Sequence, residues 1–484
     1  MIADREPIII QGGMGAAVSA WQLARAVSLA GQLGVVSGTA LDVVLARRLQ
    51  LGDPGGHMRR ALADFPVSDV AERILKRYFI SGGKEPGEPF RPTYMPSIHP
   101  SADQVELIVA ANFVEVYLAA EGHDGLVGVN YLEKIQVPTL ASLYGAMLAG
   151  VDYVLMGAGI PRAIPCALDR LSRGEPAELP IHVTGAQQGE TTLSRFDPET
   201  FGCGPPPALK RPKFLAIVAS ATLASMLARK ASGRVDGFVV EGPTAGGHNA
   251  PPRGEPVFNE RGEPIYGQRD EVDLGAMRAL GLPFWLAGSY GTPERVAAAL
   301  ECGAAGVQVG TAFAFCAESG LRDDIKRRVL AMSRAGTVDV FTDAVASPTG
   351  FPFKVLQLDE SLSDATGYNE RKRICDLGFL RQAYRRPDGR IGWRCPGEPV
   401  HTYVHKGGDL ADTVGRKCIC NSLIANVGLA QFRPDGRQEL PLVTCGDEAS
   451  EIARFASSDE AEVYYARDVI EHLLAGVLSH GCVG

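Results

Sequence analysis

The chain has no long block of like charge, no secretory-type leader and no apolar run of membrane length. It also lacks the cysteine density of a disulfide scaffold and a glycine fingerprint for a dinucleotide. Lys and Arg total 48 against 56 Asp and Glu, a net charge of −8, and no Lys/Arg cluster offsets it. That balance argues against a nucleic-acid partner. The longest apolar-looking run, FLAIVASATLASMLA (214–228), is too short to span a bilayer and carries hydroxyl residues, so it reads as a strand running into a helix. The start, MIADREPIII, has acids and an arginine where a signal peptide has its apolar segment. Ten cysteines among 484 residues suit reduced thiols. These features give the expectation of a cytoplasmic protein with no membrane and no nucleic acid. No G-x-G-x-x-G opens a helix after a strand, so a resident dinucleotide is not expected.

What is present is a large apolar supply, 45% of residues, arranged in a repeating pattern over about the first 320 positions. A short β-branched run is followed by a small-residue turn and an amphipathic stretch. The runs are PIIIQ (7–11), LGVVSG (33–38), LVGVN (126–130), VDYVLMG (151–157), FLAIVAS (214–220), VDGFVVE (235–241), PFWLAG (283–288) and AGVQVG (305–310). Most are continuous rather than alternating, as parallel strands buried on both faces require. Helices are predicted at 19–31, 140–150, 223–233 and 292–303, the last with Thr292 as N-cap and Pro293 in the first turn. Eight such units predict an α/β fold, a closed (β/α)8 TIM barrel, with a doubly wound open sheet as the alternative.

The barrel is placed at 1–335, with long loop insertions at about 52–105 and 171–210. A C-terminal extension, 336–484, loop-rich and helical, follows it. PVFNERGEPIYG (256–267) reads as a hairpin turning at Arg261 and Gly262. It lies between the sixth strand and its helix, so it is expected to cover the substrate.

The stretch EGPTAGGHNAPPRG (241–254) sets a histidine between two glycines and two prolines just after the sixth strand. Such a histidine is presented rather than packed, and His248 is the candidate acid/base residue. Gly247, beside it, permits close approach of a ligand ring. AGSYG (287–291) and VGTAFAF (309–315) follow the last two strands, where barrels commonly hold a phosphate on backbone N–H groups. Gly288, Ser289, Gly310 and Thr311 are the phosphate candidates. After the first strand, QGGMG (11–15) offers Gly12, Gly13 and Gly15 for a flat ring, with Met14 as a soft neighbour. Asn130, at the end of the third predicted strand, either bonds the edge of a cofactor ring or caps a helix.

Taken in order, PIIIQGGMG, VGVN, EGPTAGGH, LAGSYG and GVQVGTAF resemble the nitronate monooxygenase (2-nitropropane dioxygenase-like) family over roughly 7–320. The same motifs are similar to those of flavin-dependent enoyl-acyl-carrier-protein reductases of the polyunsaturated fatty-acid and polyketide synthase type. The resemblance implies a cytoplasmic FMN flavoprotein, an oxidoreductase on a TIM barrel. Its expected reaction is oxidation of alkyl nitronates with O2 to a carbonyl compound and nitrite. The alternative is an NAD(P)H-dependent, trans-acting enoyl-acyl-carrier-protein reductase. A flavin-binding regulatory partner without turnover is a third reading, which the intact histidine motif disfavours. The implied partners are a small molecule, nitronate or enoyl thioester, and O2. An acyl carrier protein belongs to the alternative, and a homodimer stays open. Two departures stand out. Ser289 replaces the second glycine that the family often has after strand seven, and the insertions and extension have no counterpart in compact members.

Cys375, Cys395, Cys418 and Cys420 fall within the extension with the spacing C-x19-C-x22-C-x-C, which is not a standard zinc pattern. His401 and His405 lie nearby in sequence. Buried structural thiols are the reading preferred over a zinc or iron–sulfur site, and no metal is assigned. A closing amphipathic helix is predicted at 457–478, capped at Ser457 or Ser458.

Overall fold

The computed structural model describes residues 6–202 and 206–475. Eight parallel strands form the centre: β1 (Ile9–Gln11), β2 (Gly34–Ser37), β3 (Val127–Leu132), β4 (Tyr153–Gly157), β5 (Lys213–Val218), β6 (Gly237–Glu241), β7 (Phe284–Ala287) and β8 (Gly306–Val309). Each pairs with its sequence neighbour, and β1 pairs with β8. The ring closes between β1 and β2, where Leu33 N donates to Ile9 O (3.1 Å) and Gln11 N to Leu33 O (3.0 Å). The fold is a (β/α)8 barrel, not an open sheet.

The strands form here because their residues are buried on both sides. Ile10, Leu33, Val35, Leu155, Leu215, Val239 and Trp285 fill the interior, while Ile9, Val36, Phe214 and Phe238 face the surrounding helices. Trp285 Nε1 donates to Pro7 O at 2.7 Å, so the large ring is buried without an orphaned donor. The helix Pro293–Glu301 begins as the sequence dictates, with Thr292 Oγ1 accepting from Arg295 N.

The segment after β2 contains helices His57–Ala63 and Ser68–Tyr78 before the long helix Ala102–Ala120. The segment after β4 adds a hairpin of Ala177–Ile181 and Thr192–Phe196. Both reach the C-terminal extension. Phe90 N donates to Gln431 Oε1 and Gln431 Nε2 returns a bond to Phe90 O. Val183–Thr184 joins the edge of a hairpin made by Gln382–Arg385 and Ile391–Arg394.

The extension therefore contains strands as well as loops and helices. β9 (Val340–Asp343) and β10 (Phe353–Leu356) pair antiparallel, and Phe353 also bridges to His248. A second core joins Ala16, Ala40, Val43 and Ile135 of the barrel loops to Phe353, Leu380, Ile419 and Leu423 of the extension. This core roofs the carboxyl ends of the strands.

Three expectations need correction. The 256–267 hairpin exists, with Ile265 N donating to Val257 O, but it does not line the large cavity at the barrel mouth. Arg261 pairs with Asp339 and Glu263 accepts from Thr342 N, which ties it to β9 instead. The closing helix is Ala466–Leu474, starting well after Ser458. Buried Tyr464 and the Asp468 carboxylate, which accepts from Tyr465 N, fix that start; residues 476–478 of the predicted helix lie outside the described residues. Third, β3 runs on to Leu132, so Asn130 sits within a strand and caps no helix. Among the described residues, no helix is long and apolar enough to cross a membrane.

Candidate active site

The barrel strands end in glycine-rich turns because backbone must curve sharply there and a ligand must come close. One cavity of about 1500 Å³, partly open to solvent, lies over these ends. Gly13, Met14, Gly15, Asn130, Gly247, His248, Gly288, Ser289, Gly310 and Thr311 all line it. The fold thus gathers residues from β1, β3, β6, β7 and β8 into one chamber.

The chamber's local geometry is demanding. A Cβ on Gly13 would stand 2.4 Å from Asn130 Cβ, so only glycine allows the first turn to lie on β3. Ser289 adopts φ 58°, the left-handed region that glycine occupies freely, which explains why a glycine is common there in the resembled family. Ala17, Ala40 and Ala158 have the same sign of φ at the ends of β1, β2 and β4. Strain of this kind is held by surrounding structure and clusters where ligands bind.

His248 is half-buried between Phe353, 4.6 Å away ring to ring, and Ser347, whose Oγ lies 2.6 Å from Nε2. Burial pulls the imidazole down to about 4, so it is neutral at cellular pH. Ser347 is fully buried and also bonds Thr349 Oγ1 at 2.8 Å. This bond occupies Nε2 and leaves Nδ1 as the ring nitrogen for proton exchange.

Glu241, the last residue of β6, lines the same chamber, and burial pushes its carboxyl up to about 8. It is therefore protonated at neutral pH and can donate a hydrogen bond. An acid ending a buried strand on the active face was a readable signal that the histidine overshadowed. Ser347 had no such signal, since it is placed only by the extension's packing.

The extension adds further unforeseen walls: Phe379, Leu380, Ile419 and Leu423 are apolar, and Thr444–Gly446 pack against the glycine loop. A Cβ on Gly246 would lie 2.7 Å from Cys445 C, so these backbones approach too closely for a side chain. Gly446 N donates to Thr311 Oγ1 (2.8 Å), and Glu448 Oε1 accepts from Gly291 N (2.8 Å). The half-buried carboxyl of Glu448, raised above its ordinary value by desolvation, thus borders the turn after β7.

The chemistry of these residues fits a flavin. Gly13, Met14 and Gly247 make a thin, soft-walled surface for a flat ring. Gln308, whose buried Oε1 has no partner, is an unspent acceptor on the wall. A Cβ on Gly310 would stand 3.3 Å from Met14 Sδ, which leaves a cradle only while position 310 is bare.

Residues 199–348 match the family model of nitronate monooxygenase, and this segment carries β5 to β8 with His248 and Ser347. The match relates this segment to that family. A Mycobacterium tuberculosis protein, (3aS,4S,5R,7aS)-5-hydroxy-7a-methyl-1-oxo-octahydro-1H-indene-4-carboxyl-CoA dehydrogenase, is 27% identical over 264 residues. That alignment covers 53% of this chain and 66% of the relative, just under two thirds of its length. Among solved structures, FabK from Thermotoga maritima aligns over 99% of this chain and 95% of its own, at 18% identity and a TM-score of 0.49. Nitroalkane oxidase from Streptomyces ansochromogenes aligns over 98% and 96%, at 17% identity and a TM-score of 0.44.

Proposed function

We propose that the chain is an FMN-dependent oxidoreductase acting on a carbon acid, with nitronate oxidation by O2 to a carbonyl compound and nitrite as its reaction. The observation that carries this reading is the pairing, in one chamber, of a neutral imidazole with a protonated carboxyl. Gly13, Met14, Gly15, Asn130 and Gly247 would hold the flavin ring, and Gly288, Ser289, Gly310 and Thr311 its phosphate. Bound FMN supplies the redox chemistry.

His248 takes a proton from the carbon of a neutral nitroalkane, and Ser347 keeps the imidazole oriented as the charge appears. Glu241 donates a hydrogen bond to the oxygen that gains negative charge, as a carboxyl kept neutral by burial can. The roof of Phe379, Leu380 and Leu423 limits water around these groups.

A second reading is redox chemistry on an acyl thioester, with NAD(P)H as reductant and an acyl carrier protein or a second copy of the chain as partner. The breadth and apolar roof of the chamber favour it, as does the acyl-CoA substrate in the name of the mycobacterial relative. The same two groups serve it, at the carbon beside the thioester carbonyl.

Mixing the yellow protein anaerobically with a nitronate, and separately with NADPH, decides between them. Bleaching by nitronate alone is the expected result. Bleaching by NADPH with no response to nitronates would replace the first reading by the second.

A further inference from the structure

Beside the chamber, a small pocket is lined by Cys375, Cys395, Cys418 and Cys420. Three separate segments deliver them. Cys375 precedes the hairpin of Gln382–Arg385 and Ile391–Arg394, Cys395 follows it, and Cys418 and Cys420 open the helix Ile419–Asn426. None is in a disulfide. His401 and His405 lie exposed on the helix Val400–His405 and take no part in the pocket.

Thiols that merely fill a core act as small apolar groups and need no donors. Here donors surround the sulfurs. Asn421 Nδ2 donates to Cys418 Sγ at 3.5 Å, and the backbone N–H groups of Gly397, of Phe379 and Leu380, and of Asn421 face Cys395, Cys420 and Cys418. The Arg381 guanidinium stands in the pocket wall, close enough to interact with Cys375, Cys395 and Cys420. A nearby carboxylate, Glu398, is paired with Lys406 at 2.8 Å. A neutral thiol is a weak acceptor, so this shell suits sulfur that bears negative charge. A coordinated metal displaces the protons of the thiols that bind it.

The arrangement also discriminates between a single ion and a cluster. Among the described residues, no three His, Cys, Asp or Glu side chains stand where one ion could bind them all. The four thiols border one pocket from three chain segments without converging on a single point, and only Cys375 and Cys395 come within hydrogen-bonding reach of each other. A cluster brings its own width, and thiolates around it stand apart by that width.

We propose that Cys375, Cys395, Cys418 and Cys420 ligate an iron–sulfur cluster, with four thiol protons released on assembly and Arg381 offsetting the cluster's charge. Leu380, Ile419 and Cys420 wall both this pocket and the large chamber, so the cluster stands one layer of side chains from the active site.

The full chain, purified anaerobically, is assayed for iron, acid-labile sulfide and zinc, then reduced with dithionite for low-temperature electron paramagnetic resonance. Iron and sulfide together in stoichiometric amounts are expected, with a fast-relaxing signal distinct from a flavin radical. Cys418→Ser and Cys420→Ser should each lower bound iron at least tenfold at unchanged flavin content, while Cys302→Ser, at an exposed cysteine, should not. Since those variants risk misfolding, the wild-type protein is also reconstituted with ferrous iron and sulfide. The proposal is overturned by zinc in place of iron, by a Cys375–Cys395 disulfide in the anaerobic protein, or by iron and sulfide staying at trace levels after reconstitution.

Discussion

His248 Nε2 and Ser347 Oγ lie 2.6 Å apart, joining the loop after β6 to the loop after β9. The bond fixes which ring nitrogen is free. Ser347→Ala should lower kcat more than it raises KM, by about tenfold, the effect of ~1.4 kcal/mol. Ser347→Thr should recover part of that loss. Equal kcat for all three proteins would leave Ser347 a packing residue.

His248→Ala should keep its flavin and lose about 10²–10⁴-fold in turnover of a neutral nitroalkane, the usual worth of general acid/base catalysis. With a preformed, anionic nitronate the loss should be smaller, since no proton need leave carbon. Steady-state kinetics with both substrates, at matched flavin occupancy, measure the difference.

The pH dependence of kcat/KM should be bell-shaped. Activity needs neutral His248, so it falls as pH drops through about 4; it needs protonated Glu241, so it falls again as pH rises through about 8. Glu241→Gln keeps a donor that cannot ionise, and should flatten the alkaline limb alone. Folding shows the matching trend. Stability gained by keeping the imidazole neutral is complete above 6.5 and is lost as pH falls through about 4. That from the uncharged Glu241 is complete below 4.5 and is lost as pH rises through about 8.

Gly310→Asp should weaken FMN binding by setting a carboxylate where the phosphate would sit, with Gly310→Ala as the steric control. Glu448 already brings a carboxyl to the neighbouring turn, so Glu448→Gln should tighten FMN about tenfold. Fluorescence titration of the apoprotein reads both. Unchanged affinity in Gly310→Asp would move the cradle elsewhere, and release of an adenine-containing flavin on heating would exclude FMN.

In the extension, Glu439 is buried between Arg371 (2.7 Å) and Arg433, and Arg433 also reaches Asp376 at 2.6 Å. Removing one member of such a network leaves buried charge uncompensated. Glu439→Ala should cost about 3–5 kcal/mol, measured by denaturant unfolding. A smaller loss would mean that water reaches the arginines.

The barrel was legible because its strands are short, doubly buried and punctuated by glycine, so each declares itself within a few residues. Ten site positions, from Gly13 to Thr311, share one chamber for the same reason: Asn130 lies near the end of β3 and the others lie in the turns and loops that follow the strands. Ser347, Phe379 and Glu448 were not legible. Their sequence neighbourhoods give no regular pattern, and their places depend on packing against residues far away in the chain, such as His248 for Ser347 and Gly291 for Glu448. The hairpin at 256–267 misled because its position in the chain pointed to the chamber, while Arg261 and Glu263 found partners at Asp339, just before β9, and at Thr342 within it.

The second core gives the barrel loops a partner they cannot do without. Ala16, Val43 and Val44 are each about 1% exposed, and residues 346–442 supply much of what covers this face. A truncation at position 335 would hand that apolar face to water and invite aggregation. Such a fragment is not a minimal enzyme. During synthesis all eight strands leave the ribosome before the roof exists, so a nascent barrel presents an open mouth that only the last third of the chain can shut.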